Sequence, residues 1–195
     1  TSAVEEALNG SMRTTLRRVI NATGIIIHTN LGRSPVSANA WHASSELVCG
    51  YSNLEFDLAT GGRGKRHLHV SDLAARLFGC ESALLVNNNA AGVLLVLSAI
   101  AAGREVIVSR SELVEIGGAF RVPDVIQQGG AKLREVGTTN RTRASDFAAA
   151  IGRRTGAILS VHQSNFQIVG FTEAPDLIEL AKIAKSKRVP LVVDE

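Results

Sequence analysis

From residue 67 onward the chain alternates helix-length segments with short apolar runs, and few folds accommodate that order. The spacing predicts helices over 69–78, 90–102, 117–128, 145–151 and 175–187. Each precedes a predicted strand, at 82–86, 105–109 (EVIVS), 131–136, 156–161 (GAILSV) and 190–194. Apolar strands separated by helices make parallel crossovers, with helices covering both faces of the sheet. The expected fold class is therefore α/β, a three-layer arrangement around a mostly parallel sheet. Upstream, Val4, Leu8, Met12, Leu16 and Val19 predict a helix over 3–19 that Gly10 weakens. VINATGIIIHTNLG is β-branched and broken at Gly32, and SPVS opens a helix with Ser34 as N-cap and Pro35 in its first turn. The glycine-rich stretch YSNLEFDLATGGRGKR (51–66) reads as a surface loop.

Composition narrows the function classes. A hydrophobic fraction of 45% with 20% charged residues is that of a soluble globular chain. No apolar run is long enough to span a membrane, and the first residues lack the order of a secretory signal, so a cytoplasmic location is expected. Cys49 and Cys80 form no metal-binding or disulfide pattern, and Cys80, in an apolar context, reads as a small core residue. No metal site is expected. Net charge is only +3, but arginines cluster at Arg13, Arg17 and Arg18, at Arg63 and Arg66 beside Lys65, and at Arg141, Arg143, Arg153 and Arg154. Such clusters suit phosphate or RNA contacts, although many are simply solvated faces.

Ligands of an open parallel sheet sit beyond the carboxyl ends of its strands, and here those ends are polar. Asn87, Asn88 and Asn89 follow the first predicted strand, and Arg110 and Glu112 the second. GTTNRT (137–142) and HQSN (162–165) follow the next two, and the last closes on Asp194 and Glu195. A helix starting near Ala90 leaves unpaired N–H groups and a positive dipole end at its first turn, and Ala90, Ala91 and Gly92 leave room for an anion. Neither GxxxxGK[ST] nor GxGxxG is present, so this is not a nucleotide fingerprint. A carboxylate at a strand end, Asp194, suits a protonated pyridine nitrogen, and with a phosphate-binding helix it points towards pyridoxal 5'-phosphate. His162 is a candidate for a ring-facing or substrate-facing group.

Six stretches carry a resemblance to a known family: INATGIIIHTNLGRSPVS, YSNLEFDLATGGRGKRH, LLVNNNAAGVLLVL, VIVSRSELVEIGGAFRVPDV, EVGTTNRT and VHQSNFQIVGF. Together, from about Asn21 to Asp194, they resemble the bacterial selenocysteine synthases, the L-seryl-tRNA(Sec) selenium transferases. The resemblance implies the large domain of a fold-type-I pyridoxal-phosphate enzyme. It implies conversion of seryl-tRNA(Sec) to selenocysteinyl-tRNA(Sec) with selenophosphate, through an aminoacrylyl intermediate on the cofactor. It places Asn88, Asn89 and Ala90 around the cofactor phosphate and Asp194 at the pyridine nitrogen, and has Ser164 and Asn165 line the pocket with His162. Arg63 and Arg66 would meet selenophosphate or the aminoacyl end of the tRNA, as candidate catalytic residues together with His162. Residues 1–20 would be the tail of a tRNA-binding region, and 21–195 the N-terminal part of the cofactor domain.

The family's Schiff-base lysine lies beyond the Asp-bearing strand, and Lys65, Lys132, Lys182, Lys185 and Lys187 do not match it. A fragment is therefore expected, inactive and poorly soluble by itself, from a homo-oligomer of dimers assembled into a larger ring. Two other readings stay open: a related pyridoxal-phosphate lyase acting on a small amino acid or amino sugar, and a non-catalytic RNA- or phosphate-binding module.

Overall fold

Every residue of β1, Glu105–Ser109, is buried, and the arrangement of the second half of the chain follows from that strand. The computed structural model describes residues 2–11, 14–117 and 120–195. It divides into two units, Thr1–His69 and Val70–Glu195. In the second unit β1 lies between β4 (Lys132–Val136) and β5 (Thr155–Val161), and β6 (Leu191–Asp194) pairs outside β5, all parallel, in the order β4-β1-β5-β6. With neighbours on both sides and helices above and below, EVIVS is apolar at each central position rather than alternating.

Side-chain alternation splits the core between the two faces of the sheet. Val106 and Val108 point to one face, against Val93, Leu97 and Ala101 of α4 (Asn89–Ala101) and Val122, Val125 and Ile126 of α5 (Val122–Gln128). Ile107 points to the other, where it packs with Ile158, with Phe147 of α6 (Ala144–Ala150) and with Leu180 of α7 (Leu177–Lys187). The expected three-layer α/β architecture is thus present. Each large side chain buried completely here, such as Leu97 or Phe147, contributes about 1.5–3 kcal/mol. Local signals start the helices. Asp176 accepts from the Glu179 N–H at 2.7 Å, and the Glu179 side chain reaches back to the Asp176 N–H at 3.3 Å, a capping box that opens α7. At Gly156 an added Cβ would come within 2.9 Å of Ala101 Cα, so β5 and the end of α4 touch through glycine.

Several expectations are corrected. Residues 82–86 form no strand, and Leu84 and Leu85 are 57% and 59% exposed. Apolar content signals a tendency to be buried, but a strand also needs a hydrogen-bonding neighbour, and 82–86 has none among the described residues. The segment before α5 is a short hairpin, β2 (Glu115–Ile116) with β3 (Phe120–Arg121), rather than helix. Gly117 turns it with φ 58°, and Pro123 sets the first turn of α5. Gly118 and Ala119 of that expected helix lie outside the described residues. Cys80 is exposed, with its thiol donating to Ser82 O at 3.2 Å, and is not a core residue.

In the first unit, α1 spans Ser2–Ser11. Met12 and Arg13 of the helix expected over 3–19 lie outside the described residues, and 14–19 is not helical. The run at 25–27 is not a strand; a short 3-10 turn at Thr29–Leu31 follows it and ends at Gly32, φ 82°. Helix α2, Ala38–Val48, is capped by Ser37 rather than Ser34, because the Ser37 hydroxyl reaches the Ala40 N–H at 3.1 Å. Helix α3, Leu68–Phe78, begins in the first unit and continues into the second.

The turn after β4 is the tightest point of the second unit. Gly137 has φ 69°, and an added Cβ would lie 2.7 Å from Cβ of Thr142, a fully buried residue. Gly137→Ala is expected to combine left-handed strain of about 1–3 kcal/mol with overpacking of similar size. Denaturant unfolding should show a loss above about 2 kcal/mol, whereas Gly152→Ala, with open space around it, should change little.

Candidate active site at the strand ends

At the carboxyl edge of the sheet, Asn88 and Asn89 divide the labour. Asn88 is the N-cap of α4: its side chain accepts from the Ala91 N–H at 2.9 Å, and its carbonyl accepts from Gly92 at 3.1 Å. The N–H groups of Asn89 and Ala90, at the helix start, have no intrahelical acceptor available to them. Asn89 turns its side chain the other way and donates from Nδ2 to Asp194 Oδ1 at 2.5 Å, across 105 residues of sequence. The phosphate-type helix terminus and the strand-end carboxylate, read separately from sequence, are therefore joined directly.

His162 follows β5, and its backbone N–H donates to Asp194 O at 2.9 Å, which continues the β5–β6 ladder. Its Nδ1 accepts from the Ser164 N–H at 2.9 Å, which leaves Nε2 as the protonated ring nitrogen. Ser164 takes φ 55°, a left-handed conformation held by this ring-to-backbone bond. A cleft of about 330 Å³ opens here, lined by Ser111, Glu112, Ser160, His162, Asp194 and Glu195 among others.

Other expected site residues stand elsewhere. Asn165 donates to Glu115 O at 3.2 Å and thus ties its turn to β2. Ala90 lines a separate cleft of about 260 Å³ with Phe120, Arg121 and Asp124. GTTNRT, expected among the polar strand ends, anchors a loop. Asn140 Nδ2 donates to Phe171 O at 2.7 Å, and Thr142 N to Glu173 O at 2.8 Å. In the first unit, Arg63 and Arg66 share one acid, Glu55, at 3.2 and 2.6 Å. The guanidinium of Arg66, then that of Arg63, holds the Glu55 carboxyl below its ordinary range. The loop that carries them closes on itself: Asp57 caps the turn at Ala59, and Gly64 sits where a Cβ would lie 3.2 Å from Phe56 and Asp57 backbone.

Glu112 is the residue that sequence reasoning left without a role. It ends a 3-10 turn after β1, where Oε1 accepts from Ser160 Oγ at 3.3 Å. Oε2 is buried with no hydrogen-bond partner among the described residues. Burial pushes its carboxyl up to about 7, against the opposing pull of the Val161 N–H, the Ser160 hydroxyl and the Ser109 N–H. No sequence pattern marks such a group, because its environment comes from β1 and β5, which are far apart in sequence.

The donor set suits pyridoxal phosphate. The N–H groups at the start of a 13-residue helix would suit an anion, and Asp194, bonded to Asn89 of that helix start, would suit a protonated ring nitrogen. The lysines Lys65, Lys132, Lys182, Lys185 and Lys187 are not among the residues lining the cleft.

The profile of the L-seryl-tRNA selenium transferases matches residues 19–195. The chain belongs to that family. It is 56% identical over 193 residues to the L-seryl-tRNA(Sec) selenium transferase of Geobacter metallireducens, covering 99% of this chain and 42% of that protein. With that of Carboxydothermus hydrogenoformans it shares 52% over 178 residues, 91% of this chain and 38% of the relative. The chain thus spans about two fifths of the length of these relatives. Among solved structures it is similar to a D-glucosaminate-6-phosphate ammonia-lyase, with TM-score 0.68 and 22% identity over 97% of this chain and 50% of that one. A serine palmitoyltransferase from S. paucimobilis shares the fold at TM-score 0.54 and 19% identity, over 81% of this chain and 39% of that one. Among the described residues no helix is long and apolar enough to cross a membrane.

A raised carboxyl makes stability depend on pH in a known direction. Below about pH 4.5 Glu112 is protonated in both folded and unfolded chains; between about 4.5 and 7 only the folded chain keeps the proton. Stability contributed by that proton is lost as pH rises across this window, by as much as about 3 kcal/mol. Glu112→Gln, uncharged throughout, should therefore be more stable than wild type above pH 7. Urea melts across pH 5–8 should show that advantage shrinking towards pH 5.

Proposed function

We propose that this chain is part of an enzyme that converts seryl-tRNA(Sec) to selenocysteinyl-tRNA(Sec), with selenophosphate as selenium donor and pyridoxal 5'-phosphate as cofactor. The observation that carries the reading is the Asn89–Asp194 bond, which unites a helix N-terminus with a strand-end carboxylate in a chain of this family. The names of its relatives support the substrate. The α4 terminus, with Asn88 as its cap and free N–H groups at Asn89 and Ala90, receives the phosphate. Asp194 holds a positive ring nitrogen, and His162, fixed by Ser164, borders the reacting atoms. When bound, the cofactor supplies an electron sink that eases loss of a proton beside an amino group. Arg63 and Arg66, oriented by Glu55, offer planar donors to selenophosphate or to the aminoacyl end of the tRNA. Residues 1–20 form the tail of a tRNA-binding region and 21–195 the first part of the cofactor domain. The whole protein is a cytoplasmic homo-oligomer, with dimers assembled into a ring.

The test is the whole protein with pyridoxal phosphate, seryl-tRNA(Sec) and labelled selenophosphate. Labelled selenocysteinyl-tRNA(Sec) is expected. Turnover of free small amino acids, with none of the charged tRNA, would instead identify a lyase. Absence of a borohydride-reducible visible band after reconstitution would point to a non-catalytic RNA- or phosphate-binding module. In an active enzyme Asp194→Asn keeps the shape but not the charge, and should lower kcat roughly 100-fold with little change in KM.

A further inference from the structure

Among the carboxylates bordering the cleft, Glu112 alone combines a buried, unpartnered oxygen with a place on the cleft wall. Buried polar atoms are almost always paired, so a bare one needs an explanation. Its neighbours do not supply a counter-charge. The charged or titratable groups lining the same cleft are His162, after β5, and Asp194 and Glu195, at the end of β6, while α7 contributes Leu177. The nearest arginine in sequence, Arg110, is engaged by Glu135 at 2.8 Å. Asp194 is turned to Asn89, and the His162 ring is fixed by Ser164. Glu112 is thus a carboxyl held by the Ser160 hydroxyl and by the Val161 and Ser109 N–H groups, with no counter-charge and with Oε2 left unpaired.

We propose that Glu112 is the proton donor of the cleft, protonating the hydroxyl that leaves the substrate's β-carbon. This rests on the selenium-transfer reading above. In the step, the Glu112 carboxyl gives its proton to the β-hydroxyl oxygen as the Cβ–O bond breaks, its electron pair staying on oxygen, and water departs. The Cα–H pair becomes the Cα=Cβ bond, the Cα proton passes to an amine base, and Glu112 is left as carboxylate. A serine hydroxyl is a poor leaving group unless protonated, and an acid is most effective when it titrates near the working pH. Burial holds Glu112 at about 7, so a large fraction is protonated at neutral pH.

Two measurements decide it. The first needs no turnover: side-chain carbon NMR of glutamate-labelled protein should show one carboxyl titrating near pH 7, absent in Glu112→Gln, and shifting when pyridoxal phosphate and serine are added. No carboxyl titrating above pH 5, or one blind to these ligands, overturns the proposal. The second is single-turnover water release from seryl-tRNA(Sec) in the whole holoenzyme. The wild-type rate should fall above pH 7; Glu112→Gln should be roughly 100-fold slower and lose that fall, with cofactor spectrum and tRNA affinity unchanged. Glu112→Asp should recover part of the rate and the pH dependence. A Glu112→Gln enzyme as fast as wild type overturns the proposal. If wild type leaves seryl-tRNA(Sec) untouched, the functional reading falls, and the ligand-dependent titration alone judges Glu112.

Discussion

The pairing of β1 between β4 and β5 is the constraint on which the rest of the second unit depends. With hydrogen bonds on both sides and side chains on both faces, the strand can hold only apolar residues at its centre, and Val106, Ile107 and Val108 are all fully buried. That burial forces helices onto both faces. The parallel direction then brings the ends of β1, β5 and β6 to one edge. Backbone groups at that edge have run out of ladder partners, so the chain fills it with side chains that can bond. A site at the strand ends follows from the sheet's direction rather than from any single motif.

The opposite edge uses charge differently. Glu105 begins β1 and accepts from Arg134 at 3.0 Å and Arg154 at 2.9 Å, tying the start of β1 to the middle of β4 and to the residue before β5. The Arg134 hydrogen bond leads in holding its carboxyl below the ordinary range, with Arg154, Arg134 and Lys132 adding charge against the opposing effect of burial. Two glutamates on the same strand and its following turn, Glu105 and Glu112, are thus driven in opposite directions. One is buried against paired cations; the other is buried with no counter-charge. Such divergence within one short segment separates a structural acid from a reactive one.

Periodicity made the helices and the inner strands legible, because α4 to α7 and β1, β4, β5 and β6 each bury a repeating face that the sequence must encode. Residues 82–86 have the same apolar content but form no strand, because pairing is a property of a neighbour, not of the segment. Ser34 and Ser37 are equally good caps by composition, and only the backbone turn selects Ser37. At the site, Asn88, Asn89, His162 and Asp194 were visible as polar groups at strand ends. Their distances were not, nor the loop-anchoring use of Asn140 and Thr142. Glu112 was invisible as a special group, since an unpaired buried oxygen is defined by what surrounds it.

The asparagine pair shows why the edge requires two of them rather than one. A helix N-terminus needs a side-chain acceptor to hold its first turn, and Asn88 supplies it. That bond uses the Ala91 N–H and leaves those of Asn89 and Ala90 free. A second acceptor at position 89 would compete for the same groups, but Asn89 acts as a donor to Asp194. An aspartate at 89 could not donate and would place two carboxylates within bonding distance, repelling β6 from α4. A serine would be too short for the same reach. An amide at each position therefore meets both demands, one by its oxygen and one by its nitrogen, and keeps the positive end of α4 open beside a fixed negative charge.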